Sequence, residues 1–223
     1  MFAVSLGFFL YSYLVRFGRP AHADGRFGPI AVDALLFTVF AFHHSLFARP
    51  WVKQRLFGLR AIGPQTTPLE RPAYVWIASL LFIAVCAAWR PVPGALYRVT
   101  GALAIAAYAV HVAGIVLTAR GSARLDVLDL AGVRAVSPAP ARHVPLQTAG
   151  VYGFVRHPVY FAWVLMVFGT PHMTMTRLTF AVVSTLYLAI AIPLEERGLL
   201  DIFGAEYREY QQRVRWRMLP GLY

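Results

Sequence analysis

RHPVYFAWVLMVFGTPHMTMTRLTFAVVSTLYLAIAIPLEE, residues 156–196, decides how this chain is read. Between Pro158 and Leu194 it carries one formal charge, Arg177, and it breaks near Thr170-Pro171. Two apolar segments with a turn between them read as a helical hairpin within a membrane, because hydrocarbon offers no partner for an unpaired backbone N–H or C=O. A hairpin brings its ends back to one side. Arg156 and His157 are therefore expected beside Glu195 and Glu196, although nearly forty residues separate them.

The rest of the chain agrees with that reading. It is 58% hydrophobic with a mean hydropathy of +0.57, whereas soluble domains are roughly 45–50% apolar. Further apolar stretches run over residues 1–15, 29–47, 73–89 and 97–118. The fold class expected is all-α, a polytopic integral membrane protein of five or six spans with a C-terminal helical hairpin and an amphipathic C-terminal helix. It forms a single membrane domain over 1–223, with N-terminal helices in 1–118, a cytosolic loop in 119–150, and the hairpin with its C-terminal helix in 151–223. Residues 49–60 suit an interfacial helix, and residues 1–15 read as a retained anchor helix.

Lys and Arg accumulate in 48–72, 119–157 and 195–223, fifteen against six in the alternate connections. The positive-inside rule then places both termini and the large loops in the cytoplasm. The net charge of +11 reads as a topology and lipid-headgroup signal. No RNA-binding or helix-turn-helix signature accompanies the arginines, so nucleic acid is not the expected partner. Cys86 is the single cysteine, which excludes an intrachain disulfide and cysteine-based zinc or iron–sulfur clusters, and no metal is expected.

The hairpin ends carry the chemistry. Pro158 suits a first helical turn, and the positive end of that helix beside Arg156 favours a carboxylate. Glu195 and Glu196 accept hydrogen bonds from ribose hydroxyls or an ammonium. A zwitterionic nucleoside–amino acid ligand matches both poles. An Arg–Glu ion pair that clamps the hairpin and binds nothing matches the same charges. Downstream, Leu199, Phe203, Tyr207, Tyr210 and Val214 recur at helical spacing and predict one face of an amphipathic helix. In the second span, His43 and His44 point about 100° apart, so at most one faces a shared site. His111 is a further ionisable residue within a span, and Asp33 is expected to face water or an interhelical partner. The absence of Gly-x-Gly-x-x-Gly, Gly-x-Ser-x-Gly and His-Glu-x-x-His argues against a soluble nucleotide fold or a hydrolase.

Gly150-Val151-Tyr152, Arg156-His157-Pro158, Tyr160, Glu195-Glu196, Leu199, Phe203-Gly204, Tyr207, Tyr210 and Pro220 together resemble the C-terminal half of the isoprenylcysteine carboxyl methyltransferase and phospholipid methyltransferase superfamily. A wider likeness, to bacterial methanethiol S-methyltransferases and related denitrification-associated membrane proteins, takes in His44-Ser45, Ala48-Arg49-Pro50, Glu70-Arg71, Trp89-Arg90-Pro91 and Thr170-Pro171-His172. The resemblance implies S-adenosylmethionine as methyl donor and a small thiol such as methanethiol as acceptor. His157, Pro158, Tyr160, Glu195, Glu196 and Tyr207 would bind the cofactor, and Arg156 would stand nearest the chemistry. His44 would serve on the acceptor side. The same resemblance implies a bacterial inner-membrane protein with its site facing the cytoplasm, in contact with lipid. The His43-His44-Ser45 and Asp126-Val127-Leu128-Asp129 stretches depart from the methanethiol pattern. Two alternatives stay open: the same donor with an isoprenylcysteine carboxylate or a phospholipid amine as acceptor, and a non-enzymatic haem or redox-accessory protein ligated by His44 and His111.

Overall fold

The computed structural model describes residues 1–21, 25, 27–47, 52, 55, 70–123 and 145–223. Helix α1 (Phe2–Tyr11) runs into a π turn at Ser12–Arg16, followed by α2 (Phe27–Phe47) and α3 (Glu70–Ala88). Then come β1 (Ala95–Arg98), α4 (Gly101–Ala123), a 3-10 turn (Gly150–Gly153), α5 (Pro158–Phe168), β2 (His172–Thr174), α6 (Met175–Phe203) and α7 (Ala205–Arg213). The interfacial helix expected over 49–60 and most of the loop expected over 119–150 lie outside the described residues.

Helices α2, α4 and α6 are long and apolar enough to cross a membrane, and Phe2–Arg16, Ala73–Ala88 and Pro158–Phe168 are shorter apolar helices. The 21 residues of α2 reach about 32 Å at ~1.5 Å per residue, against a hydrocarbon core of about 30 Å. The 11 residues of α5 reach only about 16 Å, roughly half of that core. The chain is a helical polytopic membrane protein. Its two short strands pair into a small sheet, an element that an apolar-periodicity reading does not register because each strand is only three or four residues long.

The described residues gather into two compact units, one of 1–96 and 174–179, the other of 97–123, 145–173 and 180–223. In the first, α1 and α2 both pack on α3. Phe9 meets Tyr13 and Phe82, and Trp89 meets Phe17 and Phe37. Two arginines satisfy carbonyls that helix ends leave without intrahelical partners. Arg177 donates to Tyr13 O and Leu14 O at 2.9 and 2.8 Å, and Arg16 donates to Cys86 O and Ala87 O at 3.0 and 3.1 Å. Gly18 leaves the room this requires, since a Cβ there would stand 2.5 Å from Arg177 Nη2. Asp33 does not face water. It is fully buried, and Oδ1 accepts a hydrogen bond from the Arg90 backbone N–H at 2.8 Å.

In the second unit, α4 and α5 approach closely through glycines one heptad apart. A Cβ on Gly114 would stand 2.5 Å from Met166 N and 2.7 Å from Ala162 O, and one on Gly121 would stand 2.7 Å from Val159 Cγ2. Small residues permit this because helices in lipid associate by close van der Waals contact. His111 Nδ1 donates to Met166 O at 2.6 Å across the same seam. Trp163 joins α5 to α6, donating to Ser184 Oγ at 3.0 Å and packing on Phe180. Helix α5 starts at Pro158, where the missing N–H costs no intrahelical bond.

The C-terminal segment differs from the single helical face expected. Gly204 has φ +55° and ends α6, so Leu199 and Phe203 belong to α6 while Tyr207 and Tyr210 belong to α7. All four still gather with Val214 in one apolar cluster, joined by Tyr152 and Leu146. Helical spacing registers which residues share a face, but a single-residue break that preserves the face leaves no trace in it.

Candidate active site at the hairpin ends

The antiparallel course of α5 and α6 brings Arg156, His157 and Tyr160 to Glu195 and Glu196. Arg156 Nε donates to Glu196 Oε1 at 2.6 Å, with both side chains nearly buried. Arg156 Nη1 donates to Val214 O at 2.7 Å and to Arg215 O at 3.0 Å. The backbone adds two further bonds, Arg156 N–H to Trp216 O at 2.9 Å and His157 N–H to Arg217 O at 2.8 Å. The segment after α7 is thus laid along the Arg156-His157 dipeptide.

Glu196 is the hub. Its Oε2 lies 3.3 Å from Arg217 Nε and accepts from Gln211 Nε2 at 3.3 Å. His157 Nε2 stands 3.4 Å from Glu196 Oε1, and His157 Nδ1 stands 3.6 Å from Glu195 Oε2. His157 stacks on Tyr160, ring centroids 5.4 Å apart and planes 7° from parallel. The Tyr160 hydroxyl donates to Glu195 Oε1. Unlike Glu196, the Glu195 side chain is 45% exposed. Arg217 and Gln211 were not singled out from sequence. The signal for Arg217 was present only as one arginine among several near the end of the chain, and its partner is set by tertiary packing.

Tyr207 is buried beneath this cluster and its hydroxyl makes no hydrogen bond among the described residues. Burial, then the nearby Glu196 charge, pushes its phenol above the usual tyrosine range, so it stays protonated and able to donate. Burial likewise pushes Tyr210 up to about 12 against the opposing charge of Arg156, and its hydroxyl donates to Tyr152 O at 2.7 Å.

Six of the eight site residues expected from sequence, His157, Pro158, Tyr160, Glu195, Glu196 and Tyr207, lie with Arg156 in this one unit. The eighth, His44, lies on α2 in the first unit. There its backbone oxygen accepts from the Tyr74 hydroxyl at 2.8 Å, and His44 Nδ1 lies 3.0 Å from the same hydroxyl. His43 does not turn away to an independent environment: both imidazoles lie against Tyr74, at 6.1 and 5.8 Å between centroids. A side chain reaching in from a second helix can touch both faces that a 100° step separates.

Two features determine what the hairpin cluster can do. Arg156 and Glu196 are engaged with protein partners, which is the clamp that the charge pattern allowed. Glu195 has the most hydrogen-bonding capacity left, as an exposed carboxylate, while His157 Nε2, 3.4 Å from Glu196, and the buried Tyr207 hydroxyl form no well-made hydrogen bond among the described residues. Buried polar groups are rarely left unsatisfied without a functional reason. A carboxylate, an imidazole nitrogen and a phenol suit the ammonium, carboxylate and hydroxyls of a zwitterionic nucleoside.

The sequence signature of the isoprenylcysteine carboxyl methyltransferase (ICMT) family matches residues 136–200. Methanethiol S-methyltransferase 1 of Bradyrhizobium diazoefficiens is 34% identical over 197 residues, covering 83% of this chain and 65% of that protein. Methanethiol S-methyltransferase of Pseudomonas deceptionensis is 34% identical over 207 residues, covering 89% of this chain and 76% of that protein. The chain thus spans about two thirds to three quarters of the length of these relatives. Protein-S-isoprenylcysteine O-methyltransferase B of Arabidopsis thaliana is 41% identical over 75 residues, 32% of this chain and 38% of that protein.

Proposed function

Since the chain belongs to the ICMT family of membrane methyltransferases, we propose that it is an S-adenosylmethionine-dependent S-methyltransferase acting on a small thiol such as methanethiol. The observation that carries this reading is the convergence of Arg156, His157 and Tyr160 with Glu195 and Glu196 at the hairpin ends, in a chain similar to thiol methyltransferases over most of its length.

The cofactor supplies an electrophilic methyl group on a sulfonium. The protein's own residues do the rest. Glu195 faces solvent and takes an ammonium or ribose hydroxyls, and His157 and Tyr207 present polar atoms that make no well-formed hydrogen bond among the described residues. Pro158 and Tyr160 shape the first turn of α5 against them. Arg156 acts by fixing Glu196 and the segment after α7, which keeps the wall of the site rigid, and rigid placement of reactants is a large source of rate in methyl transfer. On the acceptor side the reactive species is a thiolate, scarce at neutral pH for a thiol of pKa ~8.5 or higher. The thiol proton leaves to a base or to water as the thiolate forms. The site faces the cytoplasm of a bacterial inner membrane, following the charge asymmetry of the loops.

The test is direct. Membranes containing the full chain, given methanethiol and radiolabelled S-adenosylmethionine, form labelled dimethyl sulfide, and Glu195→Ala raises the KM for the cofactor more than it lowers kcat. Wild-type membranes that bind no cofactor and form no product would refute the proposal. Formation of a prenylcysteine methyl ester or a methylated phospholipid instead would move the acceptor to the other branch of the family.

A further inference from the structure

Next to the hairpin cluster, and wholly within the second unit, lies a pocket of about 340 Å³. Leu117 and Arg120 of α4, Val159 and Phe161 of α5, and Val151 and Phe154 of the stretch around the 3-10 turn form its walls. Val155 and Pro158 also line it, and these two residues bracket Arg156-His157, so the pocket and the polar cluster share a wall. The lining is mainly apolar, with Tyr152 and Arg120 its polar side chains and Arg120 the one formally charged among the described residues. Arg120 is exposed and makes no hydrogen bond or ion pair among the described residues.

An apolar wall with an exposed cation at its rim, unpaired among the described residues, suits an apolar body that ends in a small anionic group. It does not suit the methyl donor, whose ribose hydroxyls and adenine amine would lose their hydrogen bonds to water and find few replacements on this lining. A thiolate on a hydrocarbon body fits both features. Size then narrows the class. At about 30 Å³ per water-sized group, the pocket holds on the order of ten heavy atoms, where methanethiol has two.

We propose that this pocket receives the methyl acceptor, and that the acceptors it favours are apolar alkyl or aryl thiols considerably larger than methanethiol, held with the thiolate toward Arg120. This rests on the thiol-methylation reading above. The acceptor sulfur, as thiolate, contributes the electron pair of the new S–CH3 bond. The electrons of the broken bond stay on the donor sulfur, the thiol proton passes to a base or to water, and the product is a neutral thioether that Arg120 no longer attracts. Each added methylene that leaves water strengthens binding about fourfold, so hexanethiol is expected to show a KM at least tenfold below that of methanethiol.

Two measurements on the purified full chain in detergent test this. In the first, without cofactor, hexanethiol raises the thermal midpoint and methanethiol at the same concentration does not. Val151→Trp, which fills the pocket from a half-exposed turn position, removes the shift, and Arg120→Gln weakens it. In the second, with radiolabelled S-adenosylmethionine, hexanethiol and benzenethiol are methylated, and Val151→Trp raises the hexanethiol KM at least tenfold while the cofactor KM stays within twofold. If methanethiol is methylated but hexanethiol neither shifts the midpoint nor reacts, the pocket assignment fails and the proposed function stands. If Val151→Trp raises the cofactor KM instead, the pocket belongs to the donor and the assignment fails. If no thiol is methylated, the thiol reading falls and the acceptor assignment falls with it, even where hexanethiol binds.

Discussion

Replacing Glu196 by Gln changes one oxygen into an NH2 and removes one charge, at the point where the donors Arg156, Arg217 and Gln211 converge. Arg156 Nε at 2.6 Å loses its counter-ion while its side chain stays only 7% exposed. Arg217 Nε and Gln211 Nε2, both at 3.3 Å, face an amide that can no longer satisfy every partner. Removing one partner of a buried ion pair costs about 3–5 kcal/mol, because the remaining charge has no water to return to. For a protein of this size each kcal/mol moves the thermal midpoint by about 2–4 °C, so the variant is expected to melt about 6–20 °C below wild type. Thermal unfolding in detergent, followed by tryptophan fluorescence without cofactor, measures it. The double variant Arg156→Met, Glu196→Leu removes both charges and should recover at least about 1 kcal/mol of the loss summed over the single variants. A Glu196→Gln protein that melts within about 2 °C of wild type would show that the pair does not hold the hairpin to the segment after α7.

Other consequences follow from particular contacts. Gly114→Leu drives side-chain atoms into the α5 backbone and is expected to cost at least about 1–3 kcal/mol, read as lost folded yield and a lower thermal midpoint. Gly7→Ala, where a Cβ meets nothing within 4 Å, is the matching control and should leave both unchanged. Gly204→Ala forces a side chain into a positive-φ conformation that only glycine adopts readily, at about 1–3 kcal/mol, and should increase protease cleavage near the junction of α6 and α7.

Much of the architecture was legible because membrane solvation is a coarse and powerful filter. The helical hairpin followed from a long apolar run interrupted at Thr170-Pro171, and α5 does begin at Pro158. The gathering of Leu199, Phe203, Tyr207, Tyr210 and Val214 followed from their spacing, whereas the break at Gly204 did not, because a glycine in a helical pattern does not announce its backbone angles. Asp33 illustrates the opposite limit. A lone carboxylate near a helix end reads equally as water-facing or as bound to a neighbouring helix, and only the backbone N–H of Arg90 reaching it decides against water.

The sequence by itself determined that the chain is a membrane protein and that two charged motifs forty residues apart must meet, because an apolar hairpin with charged ends has few other ways to satisfy its backbone and its charges. Only the tertiary structure decided how those charges are shared. Arg156 is spent on Glu196 and on the carbonyls that follow α7, Arg217 and Gln211 join at Glu196, His157 stands between the two glutamates, and Glu195 keeps an exposed face. Which donor reaches which acceptor depends on ångström-scale placement of side chains from three separate segments, and residue type and spacing along the chain do not encode that placement locally.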